Sequence, residues 1–311
     1  MISKTLTTKN LSDLLDKNKV RELLLKYQEA CGLGINFQII NISRHLVLSP
    51  KTFALLYEID DQKGVHKVRV NASSEETRER AFQVMKFLEK DFSGPKFFIP
   101  KVFFYDKDYN LICYENIDGQ LLINQLNDLH LPQKISLAGQ WLKVLHSLAA
   151  PNFVLPKHEI FFNFEALGKF YPELAQEGPT IVQSLKAKLS SIPSKLIHGD
   201  YQPNNMIIGE EKITVFDLND RQNADSALDL GKFLTQLKTM LFRFADLKNF
   251  EDLTSIFLSA YGLNYHQGNF KIYQKLYFLQ ILCSLSASLA EDPESKRTLP
   301  QIYQYYHDCP T

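Results

Sequence analysis

The chain has 311 residues, of which 45% are apolar and 23% charged, and its basic and acidic side chains balance to a net charge of zero. This composition is typical of a globular protein with two domains or two lobes, and the lack of a long basic block argues against a nucleic-acid-binding surface. Four scattered cysteines without Cys-x-x-Cys spacing argue against a zinc site or a disulfide framework. Together with an N-terminus that lacks the apolar core of a signal peptide, they predict a cytoplasmic location.

The first part of the chain predicts leading helices followed by antiparallel strands. Residues 10–31 have helical spacing, and Ser12 is a candidate helix cap. Three β-rich runs follow at 36–48, 53–59 and 65–70, with short turns between them. In the third run Lys67 and Arg69 are two residues apart, so that they share one face of the strand.

A helix and a second hairpin are predicted next. The helix covers 74–90, with Ser73 or Ser74 as its cap and apolar residues at helical spacing. The hairpin pairs 102–105 with 111–114. Directly after it, Glu115-Asn-Ile117-Asp-Gly119 has the character of a loop, and its glycine allows the chain to turn.

The second part of the chain is predicted to be mainly helical. An amphipathic helix over 133–149 contains His146, which we interpret as a core histidine, and another helix lies near 181–189. The apolar stretch 277–290 is too short and too polar to span a membrane and predicts a buried helix. Aromatic repeats in the last 80 residues are typical of a helical core, and the alternative is a wall that grips a cationic acceptor.

A polar loop in the second part of the chain indicates the kind of reaction. It reads His198-Gly-Asp200-Tyr-Gln-Pro-Asn-Asn205, and two short β-branched runs follow before Asp217. The runs, 206–208 and 213–216, predict a hairpin, which would bring Asn205 and Asp217 together with Asp200 just upstream. Two carboxylates and a carboxamide suit phosphoryl transfer, in which an enzyme binds Mg²⁺ through oxygen ligands and orients the attacking hydroxyl.

The motif His-Gly-Asp200-x-x-x-x-Asn205, then Phe-Asp217 and Asp225-Ser-Ala-Leu-Asp229-Leu, resembles the aminoglycoside phosphotransferase/choline kinase-like family. The resemblance implies an α+β, two-lobed, protein-kinase-like fold. An N-terminal antiparallel-sheet lobe over 1–115 would bind the nucleotide, and a mainly helical lobe over 116–311 would hold the catalytic loop and the acceptor. It further implies an enzyme that uses ATP and Mg²⁺ to phosphorylate a hydroxyl of a small molecule.

The resemblance also implies roles for single residues. Asp200 would orient or deprotonate the acceptor hydroxyl, and Asn205 and Asp217 would hold Mg²⁺. Arg69, with Lys67 as the alternative, would bind the ATP phosphates and pair with Glu79, for which Glu75 and Glu76 compete. The other implied positions are the nucleotide loop Ser49–Thr52, which lacks glycine, the adenine-binding hinge at Glu115 and Ile117, and the structural residues His198 and Asp229.

Two alternatives stay open. A protein kinase is disfavoured because Gln202 stands where such enzymes commonly have lysine, and because the sequence lacks Asp-Phe-Gly and Ala-Pro-Glu. A pseudokinase that binds without turnover is disfavoured because Asp200, Asn205 and Asp217 are all present. Aminoglycosides, choline-like amines, amino alcohols, sugars and nucleosides all remain as acceptors. Residues 200–311 hold 14 acidic and 10 basic side chains, a small excess that favours a cationic acceptor. We expect no nucleic-acid or membrane partner, and the oligomeric state is open.

Overall fold

The computed structural model describes residues 9–49, 52–74, 77–149, 159–189, 195–218, 223–245, 249–263, 269–288 and 293–309. The chain divides into two compact units. The first unit comprises 1–119 and 214–220, and the second comprises 120–213 and 221–311.

The first unit is built on a five-stranded antiparallel sheet in the order β1-β2-β3-β6-β5. Its helices and strands are α1 (Lys17–Lys26), β1 (Gln38–Ser49), β2 (Thr52–Asp60), β3 (Val65–Ser73), α2 (Glu79–Leu88), β4 (Phe97–Phe98), β5 (Val102–Asp106) and β6 (Leu111–Glu115). The three antiparallel strands and the following hairpin that the sequence predicts are therefore present, and they meet where β3 pairs with β6.

Alternation along β3 gives the sheet one covered face. Val68, Val70 and Ala72 are buried, and they belong to an apolar core that also contains residues of α1 and of the preceding 3-10 turn Leu11–Leu15. Successive strand residues point to opposite sides, so Lys67 and Arg69 lie on the other face. The sheet thus separates a hydrophobic side from a side that carries cations.

The helix starts in this unit differ from the predicted ones. Asn10 caps the 3-10 turn and Asp16 caps α1 through its side-chain oxygen, whereas Ser12 donates its amide to Asn10. The predicted cap Ser73 is the last residue of β3, and α2 begins only at Glu79. The serines favoured an earlier start because strand ends and helix caps prefer similar polar residues.

The second unit is mainly helical. Its elements are α3 (Leu131–Ser147), α4 (Phe164–Gly168), α5 (Pro172–Lys188), β7 (Lys195–Leu196), β8 (Met206–Ile208), β9 (Ile213–Val215), β10 (Asn223–Ala224), α6 (Ala227–Phe244), α7 (Phe250–Tyr261), α8 (Phe270–Ser288) and α9 (Pro293–Asp308). The boundary between the units falls inside β9, so that residues 214–220 belong to the first unit.

The helix predicted near residue 181 begins nine residues earlier, at Pro172. Gly178 and Pro179 lie inside it and gave the sequence the character of a break. Gly178 is there because a Cβ atom at this position would come within 2.2 Å of the Phe164 ring. Tertiary packing therefore overrides a locally unfavourable residue.

The predicted short strands before and after residues 209–212 are found as β8 and β9. The turn between them is closed by the Gly209 amide, which donates to the Lys212 carbonyl at 2.9 Å. The apolar stretch 277–290 is part of α8 as far as Ser288, and its Tyr277, Leu279 and Leu282 side chains are buried. Among the helices of the described residues, none has the length and hydrophobicity that a membrane-spanning segment needs.

Candidate active site

The polar motif of residues 198–205 forms a loop between β7 and β8. Gly199 has φ +79°, a left-handed conformation that strains other residues much more than glycine. Pro203–Asn205 then form a short 3-10 turn that leads into β8. The backbone directly before Asp200 therefore has a conformation that glycine adopts without strain.

Asp229, on the first turn of α6, holds this loop. Its carboxylate accepts hydrogen bonds from the amides of His198, at 2.6 Å, and Gly199, at 2.9 Å, and it lies 3.1 Å from Nε2 of His146. Burial alone would raise the pKa of Asp229. The hydrogen bond from His146, the nearby histidine rings and the His198 amide outweigh burial, so that this pKa lies below its ordinary value.

The aromatic residues around the loop are packed against α3. The Tyr201 hydroxyl donates to the Ala138 carbonyl at 2.7 Å, and the Tyr201 ring stacks on Trp141 with 5.6 Å between centroids. His198 is fully buried, and its Nδ1 accepts the Asp200 amide at 3.2 Å. His198 and Asp229 therefore have contacts that fix the backbone on which Asp200 stands.

The side chains of Asp200 and Asn205 form a direct hydrogen bond with each other. Nδ2 of Asn205 donates to the backbone carbonyl and to Oδ2 of Asp200, both at 2.9 Å. Gln202 donates to the same Oδ2 at 2.9 Å. Because Nδ2 of Asn205 is the atom that donates to Asp200, the oxygen of the same carboxamide group points away from these hydrogen bonds.

Sequence analysis missed one member of this cluster. Oδ1 of Asp200 forms an ion pair with the Nζ atom of Lys232, on α6. Residues three apart on a helix lie on the same side of it, so Lys232 and Asp229 both face the polar loop of residues 198–205. The spacing of these two residues was the signal that could have identified the lysine.

In the first unit, Arg69 and Lys67 have different partners. Nε of Arg69 donates to Oδ1 of Asn116 at 2.8 Å, whereas Lys67 lies 3.7 Å from the Glu58 carboxylate. The predicted pair of Arg69 with Glu79 is not formed in the described part of the chain. Glu79 is exposed at the start of α2, which begins later than predicted, and its competitors Glu75 and Glu76 lie outside the described residues.

Asp217 stands in the same unit as Arg69. It has φ +60°, a left-handed conformation that is uncommon for residues other than glycine and that often marks functional positions. Burial raises the pKa of Tyr114 to about 12, the negative charge of Asp217 contributes in the same direction, and Arg69 opposes it. Because Tyr114 pairs with Arg69 across β6 and β3, these three side chains share one electrostatic environment.

The predicted nucleotide-binding backbone is only partly described. Ser49 pairs with Thr52 at the end of the β1–β2 hairpin, the Thr52 hydroxyl lies 3.5 Å from that of Ser73, and residues 50–51 are outside the described residues. In the predicted hinge, the Glu115 amide donates to the Lys101 carbonyl, and Gly119 has φ +144°. Within the described part of the chain, the backbone of Ile117 makes no hydrogen bond.

The aromatic residues of the last helices are core residues. Tyr277, Phe278 and Tyr306 are almost completely buried. Lysines of the chain itself lie over several of these rings: Lys232 over Tyr277, Lys238 over Phe250 and Tyr305, and Lys275 over Tyr306. The rings therefore already contact cations of the protein.

Asp200 and Asn205 are thus hydrogen-bonded to each other in the second unit. Asp217 belongs to the first unit, where it and Arg69 both influence Tyr114. That Asn205 and Asp217 converge on one metal ion stays a prediction. Among the described residues, no group of three His, Cys, Asp or Glu side chains is arranged to hold a metal. A site made of one carboxylate, one carboxamide and phosphate oxygens would not contain such a group.

The sequence pattern of the phosphotransferase enzyme family matches residues 57–268, which is more than half of the chain. The matched region includes the polar loop of residues 198–205, Asp217 and all of β3. The chain belongs to this phosphotransferase family. No relative among curated protein sequences matches it.

Solved structures of similar fold include phosphotransferases and kinases. A spectinomycin phosphotransferase in complex with ADP and spectinomycin is 17% identical, covers 94% of this chain and 94% of its own, and has a TM-score of 0.61. A choline kinase from Streptococcus pneumoniae is 14% identical over 93% of this chain and 99% of its own, with a TM-score of 0.61. A Plasmodium vivax ethanolamine kinase is 15% identical over 94% and 90%, with a TM-score of 0.58. At these identities the likeness establishes the fold, which is the α+β kinase-like fold that the sequence predicts.

Proposed function

We propose that this protein is a Mg²⁺- and ATP-dependent phosphotransferase that moves the γ-phosphate of ATP to a hydroxyl group of a small molecule. The observation that carries the proposal is the bonded pair of Asp200 and Asn205 on a loop that Asp229 anchors through two backbone amides. This pair supports the proposal, because the carboxylate proposed to face the acceptor lies next to the carboxamide proposed to bind a metal ion. Membership of the phosphotransferase family supports the same reaction class.

The available oxygen donors fit Mg²⁺. Asn205 turns its amide nitrogen toward Asp200 and so has its carboxamide oxygen for a cation, and Asp217 supplies a carboxylate. Mg²⁺ prefers such hard ligands and is commonly bound by one or two protein groups together with phosphate oxygens and water. When bound, the ion would neutralise charge on the phosphates.

In this mechanism Asp200 is the residue that acts on the acceptor. Its carboxylate would accept a hydrogen bond from the acceptor hydroxyl and direct the oxygen toward the γ-phosphorus. It would take the proton as the new P–O bond forms and the bond from the γ-phosphorus to the bridging oxygen breaks, which releases ADP. Phosphoryl transfer of this kind depends mainly on positioning and on charge stabilisation. The hydrogen bonds from Asn205 and Gln202 hold the carboxylate in one orientation.

The nucleotide would be bound by residues of the first unit. Arg69 is the proposed phosphate ligand, because Asn116 orients its guanidinium without neutralising it, whereas Lys67 lies beside Glu58. The Ile117 backbone, which has no hydrogen-bond partner among the described residues, is the proposed contact for the adenine edge. Nucleotide complexes of similar structures, with ADP or AMP, support a nucleotide site in this fold.

The acceptor is proposed to be a small alcohol. Similar structures include a spectinomycin phosphotransferase, a choline kinase and an ethanolamine kinase, whose named substrates all carry hydroxyl groups. The small acidic excess of residues 200–311 supports a cationic acceptor, and the lysines over the aromatic rings of the last helices argue against a cation–π cage there. We place the protein in the cytoplasm, where ATP is available and its cysteines would stay reduced.

A transfer screen tests the function. The purified protein is incubated with ATP and Mg²⁺ and a panel of amines, sugars, nucleosides and aminoglycosides, and ADP release and phosphorylated product are measured. We expect Mg²⁺-dependent turnover that falls by about 100-fold or more in Asp200→Asn, because removal of the acceptor-side base typically costs that much. Glu210→Gln, in the exposed turn before β9, is the matched control and should retain activity.

ATP binding without turnover in the wild-type protein would contradict the proposal and favour a nucleotide-binding module. Turnover that survives Asp200→Asn unchanged would reject the role of Asp200. Phosphorylation of a protein substrate in place of every small molecule would instead indicate a protein kinase.

A further inference from the structure

The ion pair between Lys232 and Asp200 differs from the surface pairs of this protein. The Lys232 side chain is 14% exposed and that of Asp200 is 26% exposed, whereas Lys86 on α2 and Glu89 directly after it are 38% and 33% exposed. Partly buried charges are screened less by salt than exposed ones. The Lys232–Asp200 pair should therefore act strongly on the local charge of the catalytic loop.

Lys232 is also held from a second side. Its Nζ atom lies over the ring of Tyr277, 5.3 Å from the centroid, and Tyr277 is 1% exposed. Gly231 allows this arrangement, because a Cβ atom there would come within 2.5 Å of Tyr273 and would separate α6 from α8. The position of the ammonium group is thus set by two packed helices.

Both oxygens of the Asp200 carboxylate have partners, but only one partner is charged. Oδ2 accepts from the amides of Gln202 and Asn205, and Oδ1 contacts Lys232. In the described part of the chain, Lys232 is the one cation in contact with Asp200. A carboxylate that works beside a triphosphate needs such a cation, since like charges repel strongly in a partly desolvated site.

We propose that Lys232 is a positioning residue for Asp200. Its ammonium group fixes the rotation of the carboxylate together with Gln202 and Asn205, and it offsets the carboxylate charge so that the γ-phosphate can approach. This role rests on the proposed function. It requires the charge of Lys232 and acts through Asp200, with little effect on how tightly the nucleotide binds.

The test measures steady-state ATP turnover with water as acceptor, together with the best acceptor of the transfer screen where there is one. In Lys232→Met, which removes the charge but keeps most of the length, we expect kcat to fall by about 10- to 100-fold, with KM for ATP within about twofold of wild type. Lys232→Arg, which keeps the charge, should retain activity to within about fivefold.

Lys238→Met is the matched control. Lys238 lies on the same helix and over two aromatic rings, 4.9 Å from that of Phe250 and 4.4 Å from that of Tyr305, but it has no ion pair with the catalytic loop among the described residues. Its removal should leave kcat unchanged. Thermal unfolding of all variants shows whether a loss of activity comes from a loss of fold.

A double-mutant cycle separates positioning from a general structural role. If Lys232 acts through Asp200, then Lys232→Met adds no further loss to the residual rate of Asp200→Asn. An equal loss in both backgrounds, or near wild-type kcat in Lys232→Met, would overturn the proposal while leaving the phosphotransferase function intact. A wild-type protein without any ATP turnover would overturn both.

Discussion

At the scale of single residues, the two cations of β3 differ in what surrounds them. Lys67 lies close to the Glu58 carboxylate, and Arg69 is oriented by the neutral Asn116. Arg69 also lowers the pKa of Tyr114, which Asp217 raises. Within the described part of the chain Arg69 therefore has no ion-pair partner, and both Arg69 and Asp217, the residue that we propose as a metal ligand, influence Tyr114.

This difference predicts unequal effects of substitution. Arg69→Ala should raise KM for ATP by about tenfold or more, because a charged hydrogen bond to a phosphate is typically worth more than 1.4 kcal/mol. Lys67→Ala should change KM for ATP by about twofold at most, because exposed ion pairs contribute little. The measurement is ATP-dependent turnover at saturating acceptor. The reverse order would assign the phosphates to Lys67.

Asp217 combines an unfavourable backbone conformation with the proposed metal-binding role. Asp217→Ala and Asp217→Gly should both abolish Mg²⁺-dependent turnover, because neither offers an oxygen ligand. Asp217→Gly should be more stable than Asp217→Ala, by about 0.5–1 kcal/mol, since glycine relieves the left-handed strain. Urea unfolding measures the difference. Mg²⁺-dependent turnover that persists in either variant would show that the metal ligand lies elsewhere.

The sequence predicted some of these residues and not others, for physical reasons. The short spacing from Asp200 to Asn205 confines them to one loop, so their proximity follows from the chain alone. Glu79 and Lys232 depend on where α2 starts and on how α6 faces the loop, which are tertiary properties. The two serines Ser73 and Ser74 led to a predicted helix start that is too early. Glu79 was therefore predicted to lie inside the helix and to pair with Arg69.

At the scale of elements, α6 holds the polar loop of residues 198–205 in the second unit. Its first turn carries Asp229, which binds the loop backbone, and its next residues are Gly231 and Lys232. Gly231 lies against α8, where the Phe270 carbonyl and Tyr273 leave no room for a side chain. One helix turn thus combines an anchor, a close helix contact and a charge.

Gly231→Ala should therefore destabilise the protein by about 1–3 kcal/mol, although alanine is the better helix former, because overpacking outweighs propensity. The free energy of unfolding in urea is the measurement. Gly94→Ala is the control, since no atom lies within 4 Å of a Cβ at that position. Equal stability of the two variants would mean that α6 and α8 can separate without cost.

Most of the elements themselves could be predicted from the sequence. The alternation of β1–β3 and the helical spacing of α3 are strong local signals, and the structure has both. The start of α5 could not be predicted, because Gly178 is present to accommodate Phe164, a contact that no local pattern reveals. Local patterns determine which elements exist, and packing between elements determines where they begin.

At the scale of the whole molecule, each unit contains a buried carboxylate with a lowered pKa. In the second unit it is Asp229. In the first unit one such group is Asp106: burial would raise its pKa, but the hydrogen bond from Lys26, the Tyr109 amide and the Tyr27 hydroxyl together lower it. A carboxylate whose folded pKa is depressed stabilises the fold above its unfolded pKa, near 4, and this stabilisation is lost as the pH falls through the folded pKa.

Stability should consequently decrease below about pH 4. Asp106→Asn should lower the free energy of unfolding at pH 7 by about 1–3 kcal/mol, because Lys26 and Tyr27 lose a charged acceptor at 2.9 Å and 3.0 Å. The same variant should show a smaller decrease between about pH 5 and pH 2. Urea titrations at several pH values give both quantities, with the exposed Asp91→Asn as control. A parallel pH dependence in wild type and Asp106→Asn would remove Asp106 from this explanation.

The lysines over the aromatic rings of the last helices bear on how the proposed acceptor would be selected. Lys238 covers the rings of Phe250 and Tyr305, and Lys275 covers that of Tyr306. A charged amine from solution would have to displace one of these tethered ammonium groups before it could rest on the same ring. Discrimination between amines and neutral alcohols in this protein should accordingly come from its carboxylates and carbonyls.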